Sequence, residues 1–196
     1  MQTSIKNHLL LFVLGAVFAS LGNYFHVISQ TLDYPIANTF FMEWFKQPYW
    51  SPLLFGVATW LIGISHIQMD RKIGPKLTPK RPKSFLVCTL GVLLFTLIYC
   101  ISGYLPWEAG GLTDIILALC FLAIWFFWDR SWQGFALAML TAIFGCITEI
   151  IIVKNEAFYY YPSVSNLINI PSWLPCLYAS ASITVGNFSR NLFNKY

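Results

Sequence analysis

The sequence predicts an all-α membrane protein, a six-transmembrane helix bundle with its N- and C-termini on the cytoplasmic side. Hydrophobic residues make up 57% of the 196 residues and charged residues only 10%, whereas about a quarter of the residues in a soluble domain are charged. Six apolar stretches are long enough to cross a hydrocarbon core of about 30 Å, which takes roughly 17 to 25 helical residues. The basic residues fall almost entirely on alternate loops. These observations place the chain in a bilayer.

Short loops join the six stretches, so we expect a single domain over residues 1–196. The first stretch is too long for a signal peptide, and five more follow it. The predicted spans run from His8 to Ser29, Trp50 to Gln68, Ser84 to Tyr104, Leu112 to Trp128, Phe135 to Val153 and Ser172 to Phe188.

The distribution of Lys and Arg predicts the orientation. Of the 12 basic residues, only Lys46 and Lys154 lie on segments opposite the N-terminus. Cytoplasmic loops carry the excess of basic residues, so both termini are expected in the cytoplasm. The protein is then expected in the endoplasmic reticulum membrane if it is eukaryotic and in the cell inner membrane if it is bacterial. We interpret the basic loop "MDRKIGPKLTPKRPKS" as this topology signal and expect no nucleic-acid partner.

Aromatic residues cluster near the predicted outer ends of the spans. Phe40, Phe41, Trp44 and Phe45 recur at helical spacing, which favours a short helix in the membrane interface. Six further residues are interpreted as anchors at headgroup depth, namely Trp50, Trp107, Tyr159, Tyr160, Tyr161 and Trp173.

The last span, "PSWLPCLYASASITVGNFSR", carries small residues where a lipid-facing helix would carry bulky ones. Ala179, Ser182 and Gly186 share one helical face, and small residues at this spacing let helix backbones approach closely. The span is therefore predicted to pack against protein on most sides. Pro175, near its start, is expected to bend it or to free a carbonyl, and a bent helix among straight ones leaves a cavity that lipid or sterol could fill.

Two acidic residues fall within the predicted spans. Glu149 either hydrogen-bonds a ligand hydroxyl or another helix, or it reaches outward to the headgroups, because a carboxylate in hydrocarbon is costly. Asp114 begins the fourth span, where an acidic residue complements the helix dipole. His26 and His66 are interpreted as satisfied polar contacts, and no metal or cofactor is expected.

Sequence motifs of membrane enzymes are missing. There is no HExxH, no GxSxG and no His or Asp cluster on one helical face, so we expect no catalytic residues.

Three stretches resemble the insulin-induced gene (INSIG) family. "SWLPCLYASASITVGNFSRNL" resembles the last span of that family, and "WFFWDRSWQGFALA" resembles its Trp-rich fourth span and the start of the next. "PYWSPLLFGVATWLIG", followed by Asp70 and Arg71, resembles the second span and the turn after it. Their order, their spacing and the six-span topology agree from about Leu9 to Asn191.

The resemblance implies a non-enzymatic, lipid-responsive scaffold. Family members bind oxysterols in the membrane and hold the sterol-sensing domains of partners such as HMG-CoA reductase. This binding regulates cholesterol metabolism. The aspartate that the family needs for partner binding matches Asp129, which is followed by Arg130, and its sterol-contacting tryptophan matches Trp125. The family's glutamine early in the fourth span is Leu112 here, and one in the fifth span is Glu149. The terminal extensions of animal members are also missing, which suits a minimal or bacterial member that binds another amphiphile.

Our leading hypothesis is a membrane protein that holds a sterol, an oxysterol or a diacylglycerol in a cavity between its helices. Phe95 and Trp125 would hold the apolar body, and Asp114 or Glu149 would hold the hydroxyl end. Asp129 and Arg130 would form a docking site for a sterol-sensing-domain protein, and a homo-oligomer is left open. The alternative is a small proton-coupled transporter that uses Glu149. An enzyme acting on lipid headgroups would need a catalytic cluster that the sequence does not contain.

Overall fold

Six helices make up most of the structure, a computed structural model that describes residues 5–35, 41–42, 45–73, 83–106 and 111–193. Five helices are long and apolar enough to cross a membrane, the fourth of them when the π-helical turn Trp125–Asp129 that continues it is included, which confirms the predicted membrane bundle. The sixth has a comparable length of 20 residues. The helices are α1 (Ile5–Ile28), α2 (Trp50–Ile73), α3 (Phe85–Ser102), α4 (Leu112–Ile124), α5 (Trp132–Lys154) and α6 (Leu174–Phe193).

Local signals at the helix starts agree with this arrangement. Ser84 and Ser131 precede α3 and α5, and their hydroxyls accept hydrogen bonds from the backbone amides of Val87 and Gly134. These bonds satisfy amides that have no partner within the helix. Pro175 is the second residue of α6, where its missing amide is tolerated. The proline therefore lies in the first turn of α6 and does not interrupt its interior.

Helix α6 lies at the centre of the bundle. It contacts α2, α3, α4 and α5, and 15 of its 20 residues are buried. The predicted packing against protein on most sides is therefore confirmed. Because α6 is surrounded by protein, it tolerates a run of Ser, Thr and Asn that a lipid-facing helix would not carry.

The helices alternate in direction, which gives the bundle two distinct ends. At one end, here called the basic end, Asn7 of α1 donates to the Leu192 carbonyl over 2.8 Å, and Asn191 donates to the Lys83 carbonyl over 2.8 Å. The basic end is the end predicted to be cytoplasmic, and its sidedness stays a prediction.

The opposite end, here called the strand end, carries short strands. β1 (Leu32–Asp33) pairs antiparallel with β4 (Tyr159–Tyr160), and β2 (Phe41–Met42) pairs with β3 (Gln47–Pro48). The predicted interfacial helix is therefore wrong at the residues that are described, whereas Phe40 and Trp44 lie outside them. Trp173 and Tyr160, predicted to be interfacial anchors, are only 2% and 7% exposed and belong to the core near β1 and β4, whereas Trp107 lies outside the described residues.

The small-residue face of α6 is buried against three helices. Ala179 packs with Phe121 and Ile124 of α4 and with Ala138 of α5. Gly186 faces the imidazole of His66 on α2, and a Cβ at this position would lie within about 2.7 Å of three ring atoms. The absence of a side chain at Gly186 therefore allows α2 and α6 to approach.

Adding one carbon at Gly186 should destabilise the bundle. We expect Gly186→Ala to lower the free energy of unfolding by about 1 to 3 kcal/mol, because the ring of His66 is held in place and overpacking forces a shift. Thermal unfolding in detergent measures this change. Ala123→Val, which also adds carbon but lies on the exposed face of α4, is the control, and equal stability of the two variants would contradict the packing argument.

Candidate functional site

A cleft of about 370 Å³ lies between α2 and α5, beside Tyr178 of α6. Both helices pack on α6 and make few contacts with each other, which leaves the space between them. Its volume lies within the range of about 300 to 1,000 Å³ that is usual for small-molecule sites. The lining residues are Leu54, Phe55, Ala58, Leu61, Ile62, Ser65, His66, Leu137, Leu140, Thr141, Phe144, Gly145, Thr148, Glu149, Ile152 and Tyr178.

A smaller cavity of about 80 Å³ lies behind this cleft, between α1, α2, α3 and α6. The two cavities share Phe55, Ala58, Ile62 and Tyr178 as lining residues. The central cavity has mainly apolar walls, and Phe95 contributes to them. These shared residues therefore form a thin wall through which the cleft could extend into the centre of the bundle.

Glu149 is the acidic residue of the cleft and lies toward the strand end of α5. Its carboxylate accepts a short hydrogen bond from the hydroxyl of Tyr178 and another, over 3.2 Å, from the hydroxyl of Tyr160. Tyr160 is held by the pairing of β4 with β1, opposite Leu32. Two phenols from separate elements thus fix the carboxylate beside an otherwise mainly apolar space.

A buried charged cluster lies at the basic end. Arg190 of α6 donates from Nε to Asp70 Oδ2 over 2.6 Å, from Nη2 to Asp70 Oδ1 over 3.1 Å, and from Nη1 to Asp129 Oδ2 over 2.8 Å. The side chains of Arg190, Asp70 and Asp129 are 5%, 11% and 0% exposed. The planar guanidinium suits this forked pairing, which ties α2 and the end of α4 to α6.

The turn between α4 and α5 presents Asp129 to this cluster. Residues Trp125–Asp129 form a π-helical turn, closed by a 2.7 Å bond from the Arg130 amide to the Trp125 carbonyl. Asp129 accepts bonds from the amide and the hydroxyl of Ser131. A Cβ on Gly134 would collide with the Asp129 carboxylate, so this glycine makes room for the acid.

A chain of hydrogen bonds, here called the relay, connects the charged cluster with the cleft. Arg190 Nη2 lies 3.4 Å from His66 Nδ1, and His66 Nε2 lies 3.1 Å from the Ser182 hydroxyl. Since Arg190 can only donate, Nδ1 accepts and Nε2 carries the hydrogen. The Ser182 hydroxyl lies 3.0 Å from that of Thr141, and both His66 and Thr141 line the cleft.

The other predicted lipid contacts lie away from the cleft. Asp114 lies in the first turn of α4 and makes no hydrogen bond or ion pair within the described residues. Trp125 donates from its indole to the Ser131 carbonyl over 3.0 Å, and its ring packs on Trp132 and Phe135. The structure therefore brings Glu149 and Phe95 to neighbouring cavities but places Asp114 and Trp125 in neither.

Sequence reasoning did not assign roles to Arg190, Asp70 or His66 in a site, and its statement that no His or Asp cluster lies on one helical face is wrong for His66 and Asp70. His66 and Asp70 are four residues apart on α2, and Arg190 lies eight residues after Ser182 on α6. Residues four apart share a helical face. One polar face ends in an acid, Asp70, and the other ends in a base, Arg190. Two such faces indicate a helix pair joined by an ion pair.

Removing the central cation should destabilise the fold strongly. We expect Arg190→Met to lower the free energy of unfolding by about 3 to 5 kcal/mol, since breaking a buried pair leaves carboxylates without a counterion. Denaturant titration in detergent micelles measures the loss.

The control for this variant is Arg130→Met. Arg130 is exposed and lies 4.6 Å from the ring centroid of Phe126, a cation–π contact worth about 0.5 to 1 kcal/mol at an exposed site. Similar losses in both variants would contradict the importance assigned to the buried cluster.

Comparison with known proteins gives concordant matches. The insulin-induced gene 1 proteins of Danio rerio and Homo sapiens are 29% and 27% identical to the chain, over 96% of it in each case and over 72% and 66% of their own lengths. A crystal structure of a mycobacterial Insig homologue from Mycobacterium vanbaalenii superposes with a TM-score of 0.84 at 21% identity, covering 100% of this chain and 98% of that one. A cross-linked trimer of the mycobacterial protein gives a TM-score of 0.83.

The family match covers nearly the whole chain, including all six helices and the charged cluster. Residues 6–193 fit the model of the family described as insulin-induced protein (INSIG). Together with the fold, this match establishes that the chain is an integral membrane protein of the INSIG family.

Proposed function

We propose that this protein is a non-enzymatic, lipid-binding membrane protein that holds one amphiphile in the cleft between α2 and α5. The observation that carries the proposal is a cleft of about 370 Å³ with mainly apolar walls and an acidic group, Glu149, toward one end. An apolar pocket with a few convergent polar groups is the usual form of a small-molecule site. A sterol, an oxysterol or a diacylglycerol has this combination of an apolar body and a hydroxyl end.

The cleft is accessible from the bilayer. Three of its lining residues, Leu61, Leu140 and Phe144, are 52%, 43% and 64% exposed, so the cleft opens on the lipid-facing surface. A lipid would enter sideways from the membrane, with its hydroxyl donating to Glu149 and its apolar body along α2 and α5. The aromatic ring of Phe95 would support the part of the ligand that reaches the central cavity.

A large side chain in the wall shared by the two cavities should strongly reduce lipid binding. Ala58 lines both cavities, so we expect Ala58→Trp to lower the recovery of co-purified lipid by about tenfold or more, equivalent to about 1.4 kcal/mol of binding free energy. Lipid mass spectrometry on the purified protein measures recovery, and thermal shifts with cholesterol and dioleoylglycerol measure binding directly.

Val57→Trp is the control for this experiment, because Val57 precedes Ala58 on α2 and is 45% exposed. No co-purified lipid in the unmodified protein, together with no thermal shift, would overturn the proposal. A pH-driven flux in proteoliposomes that requires Glu149 would instead favour the proton-coupled transporter.

We further propose that the π-helical turn supports docking of a partner, of the sterol-sensing-domain class implied by the family. The Asp129 side chain is fully buried within the charged cluster. It would therefore support docking indirectly, by keeping the π-helical turn in place. The exposed residues of this region, Arg130, Phe126, Phe127 and Trp132, are the ones available to touch a partner. Self-association is a second proposed partnership, supported by the trimer of the mycobacterial homologue.

Two substitutions at this turn should separate contact from support. We expect Arg130→Ala to reduce co-purification of a co-expressed sterol-sensing-domain protein, while the stability of the variant falls by no more than the roughly 0.5 to 1 kcal/mol of the cation–π contact with Phe126. Asp129→Asn should reduce both, because it weakens the pairing with Arg190. Loss of the partner in Asp129→Asn at full stability, with normal recovery in Arg130→Ala, would show that Asp129 contacts the partner directly.

A further inference from the structure

We propose that the polar end of the cleft binds a long-chain primary amine, which carries a positive charge, more tightly than a neutral alcohol of the same shape. This inference rests on the proposed lipid-binding function and names the class of ligand for the same site. It follows from the partners of Glu149, the acceptors around it and the apolar walls beyond it.

The carboxylate of Glu149 has hydrogen-bond partners but no cation among the described residues. Both of its partners, Tyr160 and Tyr178, are phenols that donate to it. The nearest basic residue along α5, Lys154, is exposed and follows five positions later, about 140° around the helix at 3.6 residues per turn. The basic residue of the buried cluster, Arg190, lies at the opposite end of the bundle.

A carboxylate at membrane depth is costly unless it is neutralised. Either a proton or a ligand cation can neutralise it. A protonated Glu149 would have no preference for a cationic ligand, whereas an ionised Glu149 would. A carboxylate offers about four acceptor positions, and the two phenols occupy two of them. The remaining positions are available to a donor in the cleft that Glu149 lines.

Two neighbouring hydroxyl oxygens on the same wall are also free to accept hydrogen bonds. The Thr148 hydroxyl donates to the Phe144 carbonyl over 2.8 Å, so its oxygen is left as an acceptor in the cleft. The phenolic oxygen of Tyr178 likewise donates to Glu149 and retains a lone pair. An ammonium group carries three donors and no acceptor, which matches a wall made of acceptors.

Gly145 contributes to this arrangement by its lack of a side chain. A Cβ there would lie 2.8 to 2.9 Å from three ring atoms of Tyr178. The glycine therefore lets the Tyr178 ring lie against α5, one turn before Glu149, with its hydroxyl on the carboxylate. Beyond these groups the lining of the cleft is mainly apolar and suits a hydrocarbon chain.

The preference for an amine follows from the charge of the donor. A neutral alcohol has a single hydrogen to donate and leaves the charge of Glu149 uncompensated. A hydrogen bond to an ionised acceptor is about twice as strong as a neutral one whichever ligand donates it. The amine adds the attraction between opposite charges, which is strong where the dielectric constant is low, and it neutralises the acid within the membrane.

The test compares octadecylamine, octadecanol and dioleoylglycerol on the full chain in phosphatidylcholine nanodiscs. Apparent affinities come from ligand-dependent thermal shifts. We expect the unmodified protein to bind octadecylamine at least about tenfold more tightly than octadecanol, because only the amine is attracted by the charge of Glu149. Glu149→Gln should remove this preference while dioleoylglycerol still binds, and Glu156→Gln, which neutralises an exposed acid at the strand end, should keep it.

Equal affinities for octadecylamine and octadecanol would overturn the inference, and so would a preference that survives Glu149→Gln. In either case, binding of dioleoylglycerol leaves the proposed function standing, whereas failure of all three probes overturns both proposals. If Glu149→Gln does not fold, octadecanoate decides the question on the unmodified protein. Affinities that fall from amine to alcohol to carboxylate support the inference, and any other order contradicts it.

Discussion

The fold depends on one requirement, that the polar groups of the central helix find partners inside the protein. Helix α6 is surrounded by other helices, so water and lipid headgroups cannot satisfy its side chains. Its charged residue, Arg190, is held between Asp70 of α2 and Asp129 after α4. Its hydroxyls bond within α6 or to neighbouring helices, as Ser189 does to the Gly63 carbonyl over 3.0 Å. These contacts specify which helices pack on α6 and at what depth.

The cleft is a consequence of the same arrangement. Because α2 and α5 are both held by α6, they meet over only a small area, and the space between their outer faces stays open. Small residues, such as Gly186 and Ala179, let each helix approach α6 closely. The tight contacts and the open space are thus two results of one central helix with small side chains.

The sequence predicts the helices well because the bilayer sets their length and their apolar character. It fails where position depends on packing. Trp173 has the residue type and the location of an interfacial anchor, yet loops of the strand end bury it. The π-helical turn is not predictable from a sequence pattern either. In it Asp129 is held by Arg190 and Ser131, and the bond to Arg190 exists only in the folded protein.

The site is predictable only in its most anomalous residue. Glu149 attracts attention because a carboxylate in a membrane span requires an explanation. Its partners Tyr178 and Tyr160 come from a neighbouring helix and a strand, 29 and 11 residues away along the chain, and no spacing rule connects them with Glu149. The same limit applies to Phe95, whose cavity exists only after four helices have assembled.

The relay gives the deep wall of the cleft a polarity. Thr141 has one hydroxyl hydrogen and lies 2.8 Å from the Leu137 carbonyl and 3.0 Å from the Ser182 hydroxyl. The Thr141 hydroxyl is the donor in both contacts, so its oxygen keeps its lone pairs whichever of the two acceptors takes the hydrogen, and the guanidinium at the other end of the relay can only donate. The cleft therefore meets its guest at this depth with an oxygen lone pair and no free hydrogen. At this depth an ester carbonyl of a ligand finds no donor, whereas a hydroxyl or an ammonium group finds an acceptor.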